Sequence, residues 1–302
     1  MNIMTNLLLA ALALAVSAAA QIPHVAPVRY ALVVSVDGLR PDVLLRADAP
    51  TLRGLMQRGI YSMWARTTDL AVTLPSHTSM LTGEPPERHG VTWNGSTLPP
   101  GRTGPLVPTL FTLAHRQGLT TALVAGKRKF GALCDPVAVD WSFVPDDEIQ
   151  DAAVADSAVA IIRRHGPRVL FVHLPGVDLA GHTYGWGSEN QIRAVAVADR
   201  SIHRVLEALR ERGTLDSTVI VVSADHGGSG KSHGAGDERS RYIPWIAVGP
   251  GLPVNLDLDQ DATIHVRTED TFATVCAMLG IAVPAGAAGR PVKYAAPVNN
   301  GP

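Results

Sequence analysis

The chain has 302 residues, 46% of them apolar and 18% charged, and a formal net charge of −1. That is ample material for a large core, as one α/β domain or two smaller ones. The near-zero charge argues against a strongly basic nucleic-acid binder, although local basic groups can still hold a small anion.

The first residues read as a secretory leader. An apolar core from Leu7 to about Val16 is followed by Ser17-Ala18-Ala19-Ala20, the small residues that a signal peptidase prefers. The core is short for a membrane span, and no later apolar run is long enough for one. No Lys or Arg precedes the core, so only the terminal amine supplies the usual positive charge. Removal of residues 1–20 is expected, leaving one domain over 21–302 in the periplasm or outside the cell. An exported chain can pair Cys134 with Cys276; equally, they can be a loop thiol and a buried helix thiol.

Beyond the leader, β-branched apolar runs alternate with helical patterns. Strands are expected over 30–36, 120–125, 168–174, 217–223 and 244–249. Helices are expected over 51–59, 108–118, 151–166, 189–213 and 268–280, the last opened by a capping-type Thr268-Glu269-Asp270 and closed at Gly280. Continuous apolar strands between helices predict an α/β fold: a mainly parallel central sheet with helices on both faces. The tail after Gly286 is expected to be loosely ordered.

Three of these strands run into carboxylates. The first leads to Asp37-Gly38, the third to Pro175-Gly176-Val177-Asp178, and the fourth to Asp225-His226-Gly227-Gly228. The carboxyl edge of an open α/β sheet is where ligands bind. One Asp after a strand is ordinarily a cap or a turn residue, but three, two of them with His nearby, point to a site. Asp178 and His182 are spaced to share one side of a helical turn. Asp225 and His226 lie in a glycine-rich loop that leads to His233. Carboxylate oxygen and imidazole nitrogen are ligands for zinc and its neighbours. Asp37, Asp225 and His226 would form one cation site, and Asp178, His182 and His233 a second. Two such sites together make a clamp suited to displacement at phosphorus.

The stretch "VTLPSHTSMLTGEPPERHGVTWN" supplies a nucleophile candidate. Pro75 suits the first turn of a helix reaching about Leu81, and Gly83 suits its end. Thr73 sits at the start of that helix, where backbone N–H groups such as that of Leu74 face an anion. Beside divalent cations its alkoxide becomes accessible. Ser76, Thr78 and Ser79 fall inside the helix, where they cap or pack. After the second strand, Lys127 and Lys129 in "GKRKF" either extend into solvent or reach a substrate phosphate or carboxylate.

These pieces resemble the alkaline phosphatase superfamily, and within it the type I phosphodiesterase/nucleotide pyrophosphatase family. The resemblance rests on "VVSVDGLRPDVL", the threonine segment, "VDLAGHTYGW" and "SADHGGSGKSHG", in that order along nearly the whole mature chain. It implies an exported two-metal hydrolase of phosphodiesters or pyrophosphates that works through a phosphothreonine at Thr73. Two divalent ions, zinc in particular, would be held by Asp178, His182 and His233, and by Asp37, Asp225, His226 and Thr73. It also implies a phosphate-binding role for Asn94, whose plainer reading is a turn residue in Asn94-Gly95. Only six residues separate His226 from His233, where nucleotide pyrophosphatases carry a long insertion. Little sequence therefore remains for a cap over a nucleoside, although Tyr184 and Trp186 could stack on a flat group. Sulfatase relatives need a cysteine or serine at the Thr73 position. Lys127 and Lys129 favour an alternative, a phosphomonoesterase or phosphonate hydrolase. A third reading is a non-catalytic metal-binding protein.

Overall fold

The computed structural model describes residues 27–294. The expected leader lies outside them. Among the described residues, no helix is long and apolar enough to cross a membrane.

Eight strands form one sheet in the order β4-β3-β5-β1-β6-β7-β2-β8. They are β1 (Tyr30–Val36), β2 (Ile60–Arg66), β3 (Thr121–Ala125), β4 (Trp141–Phe143), β5 (Val169–Leu174), β6 (Thr218–Ser223), β7 (Tyr242–Val248) and β8 (Leu256–Asp257). The run from β4 through β3, β5 and β1 to β6 is parallel, whereas β7 is antiparallel to both β6 and β2. All five strands expected from apolar runs are present. Three others escaped notice. In β2, "IYSMWAR" buries only alternate positions in part and exposes Trp64, as suits a strand near the sheet edge. β4 and β8 are three and two residues long, too short to carry a pattern.

The helices are α1 (Pro41–Arg46), α2 (Pro50–Arg58), α3 (Thr73–Thr82), α4 (Pro86–His89), α5 (Leu110–Arg116), α6 (Asp151–His165), α7 (Gly176–Tyr184), α8 (Glu189–Glu211), α9 (Glu238–Arg241) and α10 (Asp270–Met278). They cover both faces of the sheet. On one side α1, α2, α6 and α7 pack around α8; on the other α3 packs with α4, α5 and α10. The long helix α8 buries Val195, Ala198, Ile202, Val205 and Leu209, a 3.6-residue stripe. Its one buried acid, Asp199, accepts the Thr51 and Leu52 N–H groups and so satisfies the open N-terminus of α2.

Two local expectations need correction. Thr268 does not cap α10; Glu269 holds the cap position without a side-chain bond. Asp270 instead accepts from the N–H of Arg267 at 2.8 Å and of Arg290 at 2.7 Å. The tail after Gly286 is also tied down as far as 292, because Gly289 N–H donates to Gly83 O and Val292 N–H to the Thr274 hydroxyl. Cys134 and Cys276 are both free; the first is half-buried and the second sits inside α10.

The register places the function. Ser35 pairs with His173 on one side and Ser223 on the other, and His173 pairs with Ala125. The four parallel strands β3, β5, β1 and β6 therefore end side by side. The residues that follow them, Lys127, Asp178, Asp37 and Asp225, leave along one edge.

Candidate two-cation centre

Asp37 follows β1 directly, and its N–H donates to Leu174 O at the end of β5. Gly38 turns the chain at φ +72°, and its N–H donates to Asp225 Oδ1 at 3.1 Å. A β-carbon there would lie 2.9 Å from Asp178 Cα, so glycine lets the loop after β1 lie against α7. The Thr67 hydroxyl donates to Asp225 O from the far side. Asp37, Asp225 and His226 are fully buried.

The three histidines share one arrangement. Nδ1 of His226 faces Gly227 O at 2.8 Å, Nδ1 of His182 faces Lys231 O at 3.0 Å, and Nδ1 of His233 faces Ala71 O at 2.9 Å. A carbonyl can only accept, so each Nδ1 carries a proton, and Nε2 is the ring atom left facing the carboxylates. His226 Nε2 lies 3.4 Å from Asp37 Oδ1 and 3.2 Å from Asp225 Oδ2. In α7, His182 Nε2 lies 3.4 Å from Asp178 Oδ1, one turn apart as the spacing required, and His233 Nε2 lies 3.8 Å from the same oxygen.

These groups fit divalent cations. Within each of the two sets, Asp178–His182–His233 and Asp37–Asp225–His226, the ligand atoms lie within 4.8 Å of one another. A tetrahedral ion with bonds of about 2.0 Å would set its ligands about 3.3 Å apart, close to the separations above. Asp37 Oδ1, Asp178 Oδ1, Asp225 Oδ2 and His226 Nε2 are moreover buried without a hydrogen-bond partner. Such orphaned groups are costly unless something binds them.

Charge is unevenly shared among the buried acids. Burial pushes Asp37 upward, but the Lys127 ammonium and the His173 ring outweigh it, and the carboxyl is held well below the usual range. Asp225 moves the other way, raised by burial and by its neighbours Asp37 and Asp178. Lys127 Nζ lies 2.8 Å from Asp37 Oδ2, 2.5 Å from Asp178 Oδ2 and 3.5 Å from Glu148 Oε1. It neither extends into solvent nor stands free for a substrate. Burial opposes its charge, but Asp37 and Asp178 prevail and hold the ammonium above its ordinary range.

Thr73 opens α3 and lines a cavity of about 350 Å³ together with Asn94, Lys129, His182 and His233. Asn94 Oδ1 accepts from Leu74 N–H at 2.9 Å and from Lys129 Nζ at 3.1 Å. The Leu74 N–H expected to face an anion is thus already taken, and Asn94 is left with its amide N–H₂ to offer. The rival hydroxyls have other partners: Ser76 pairs with Thr68, Thr78 donates to Leu74 O, and Ser79 meets His89. Trp186 packs beneath the site, its indole N–H on Gly38 O at 2.9 Å, while Tyr184 is exposed.

Two residues at this centre had drawn no notice in the sequence. His77 lies one turn after Thr73, with Nδ1 2.7 Å from Thr73 O and Nε2 2.7 Å from the Ser35 hydroxyl. His173 Nε2 lies 2.8 Å from Asp37 Oδ2. The available signal was polarity inside otherwise apolar strands: Ser35 in "YALVVSV" and His173 in "VLFVHL".

A mainly parallel sheet covered by helices, with two candidate ligand sets and a helix-opening threonine at its carboxyl edge, defines an alkaline-phosphatase-like α/β domain. The type I phosphodiesterase/nucleotide pyrophosphatase family model matches residues 31–103 and 116–244, more than half the chain. The chain belongs to that family, within the alkaline phosphatase superfamily. Among curated relatives, GPI ethanolamine phosphate transferase 1 of Candida glabrata is 26% identical over 89% of this chain and 34% of that protein. Ectonucleotide pyrophosphatase/phosphodiesterase family member 7 of Rattus norvegicus is 24% identical over 65% of this chain and 49% of its own length. The chain spans less than half the length of either. In fold it is similar to murine ectonucleotide pyrophosphatase/phosphodiesterase 5, solved as an inactive threonine-to-alanine variant in complex with AMP. That match has a TM-score of 0.70 at 12% identity and covers 85% of this chain and 96% of the other. A phosphonate monoester hydrolase of Agrobacterium radiobacter gives 0.64 at 17% identity, over 84% and 74%.

Proposed function

We propose that this protein is a metal-dependent hydrolase of phosphate esters, acting on phosphodiesters or pyrophosphates with Thr73 as nucleophile. The observation that carries this is the convergence of four orphaned buried ligand atoms from three strand ends beside the threonine that opens α3. Family membership supports it, as does the murine neighbour, which is inactive with a threonine changed to alanine and binds AMP.

Asp178, His182 and His233 would hold one divalent cation; Asp37, Asp225 and His226, with Thr73, would hold the other. We take zinc as the first choice because its ligands are imidazole nitrogen and carboxylate oxygen at these separations. Bound there, such cations would bring the Thr73 alkoxide within reach and neutralise charge on the phosphate oxygens. Thr73 Oγ1 would form the new bond to phosphorus while the ester oxygen leaves from the opposite side with its electron pair. Water would then hydrolyse the phosphothreonine. The Asn94 amide would donate to a non-bridging oxygen as its charge grows. With the leader removed, the domain 21–302 would act in the periplasm or outside the cell.

The test compares bis-p-nitrophenyl phosphate with p-nitrophenyl phosphate, with and without added zinc, for wild type and Thr73→Ala. Zinc-dependent turnover of the diester, lost in Thr73→Ala with metal content retained, is expected. Full activity in the variant would remove Thr73 as the nucleophile.

A second reading, hydrolysis of monoesters or phosphonates, is favoured by Lys129, whose ammonium sits on Asn94 in the same cavity. It adds positive charge where a dianion carries its extra negative charge. On that reading Lys129→Ala lowers monoester turnover far more than diester turnover; equal losses would count against it.

A further inference from the structure

Asp37 and Asp178 belong to different ligand sets, yet both rest one oxygen on the same ammonium. Lys127 Nζ engages Oδ2 of each, and the atoms left without partners are Oδ1 of each. We propose that Lys127 is a built-in counter-ion for the cation-free protein, whose charge sets how tightly both cation sites load. The proposal rests on the two-cation reading above.

Lys127 is well placed for this. It leaves the end of β3, beside β5, and Gly126 N–H donates to His173 Nδ1 at 3.3 Å, which ties its backbone to the floor of the site. The side chain is 9% exposed, so water screens its ion pairs weakly. Without cations, Asp37, Asp178 and Glu148 gather around this one buried ammonium. Like-charged acids so close repel one another, and removing a partner from a buried ion pair is strongly destabilising. With cations present the sign reverses. The ammonium then lies beside two divalent charges that share its carboxylates, and it repels them. Lys127 thus stabilises the cation-free state and disfavours the loaded one. Both effects weaken cation binding, and both vanish when its charge is removed. This role differs from that of a substrate contact, and also from that of a simple orienting clamp. Loss of a clamp would free the carboxylates to rotate and would loosen the cations, as loss of an outer partner usually does.

The experiment uses the full chain as wild type, Lys127→Gln, Lys127→Arg and Arg128→Gln. Free-ion affinity for Zn²⁺, and in parallel Mn²⁺, is read by competition with a chromogenic chelator, and unfolding temperature is read in EDTA and with the ion. Lys127→Gln is expected to unfold at lower temperature in EDTA, to show a larger ion-induced rise, and to half-saturate at an ion concentration at least tenfold below wild type. Lys127→Arg, which keeps the charge, should stay near wild type. Arg128→Gln, an exposed cation next in sequence, should shift affinity by less than about twofold. If Lys127→Gln does not fold in EDTA, it is refolded with the ion and its affinity measured by chelator withdrawal. Unchanged or weaker binding in Lys127→Gln overturns the proposal while leaving the two-cation reading intact. A wild type that takes up neither ion overturns both.

Discussion

His226 and His233 stack face to face, with ring centroids 3.6 Å apart and planes 11° from parallel. Each belongs to a different candidate ligand set, so the two sets meet at this pair of rings. Burial and the neighbouring His233 push His226 down to about 4, which keeps it uncharged at neutral pH. On the proposed two-cation reading, replacing His233 by Ala removes a ligand from one site and the packing surface of a ligand in the other. Bound metal should fall from two ions per chain to one or fewer, with turnover down at least 100-fold. Elemental analysis after gel filtration, beside the ester assay, checks this.

Asn94 holds its place by giving its oxygen to Leu74 N–H and Lys129. Its amide N–H₂ should therefore act mainly on charge that develops during the reaction. Asn94→Ala should lower kcat by roughly 10²–10³, the range seen when a single such donor is lost, while KM changes by less. A variant in which only KM rises would reduce Asn94 to a ground-state contact.

Behind the ligands, His173 orients Asp37 through a 2.8 Å contact to Oδ2. Outer partners of this kind typically contribute 10–100-fold to metal affinity. His173→Leu keeps bulk against Phe130 and His77 but loses the contact. It should weaken binding at the Asp37 set within that range and leave the Asp178 set less affected, a difference visible as two unequal phases in chelator competition.

Asp151 gives a pH signature away from the ligands. It is buried at the start of α6, where it accepts Gly176 N–H at 2.8 Å. Burial raises its carboxyl from 3.8 to about 7. A raised carboxyl means that the folded chain binds more protons than the unfolded one between those values, so its contribution to stability is lost as pH climbs from about 4 through about 7. Asp151→Asn keeps the acceptor and removes the titration. In urea unfolding with EDTA, the variant should gain on wild type as pH rises from 5 to 8, by on the order of a few kcal/mol. A constant gap between the two proteins across that range would show that Asp151 ionises freely.

Much of this centre was legible in the chain. Asp178 and His182 needed only the 3.6-residue turn, which α7 supplies. Asp37 and Asp225 needed only the rule that parallel strands present ligands at their carboxyl ends. Thr73 was marked by Pro75 and Gly83, and Gly83 does end α3 in the left-handed region at φ 70°. β2 was not legible, because a half-exposed strand beside an antiparallel neighbour lacks the continuous apolar run of a buried one. His77 and His173 were hidden for a different reason: a single histidine within an apolar element says nothing of which carboxylate or carbonyl it will meet.

The sequence by itself determined which segments enter the parallel core and which acids, imidazoles and hydroxyl emerge at its edge, because strand burial and helical spacing are local periodicities. Only the tertiary structure decided how those groups divide their atoms. Lys127 turned inward onto two acids, Asn94 gave its oxygen to the helix, and each candidate ligand histidine turned its Nδ1 proton toward a backbone carbonyl. Those choices depend on charge and hydrogen-bond balance among residues far apart in the chain, such as Lys127 and Asp178, and no local pattern encodes them.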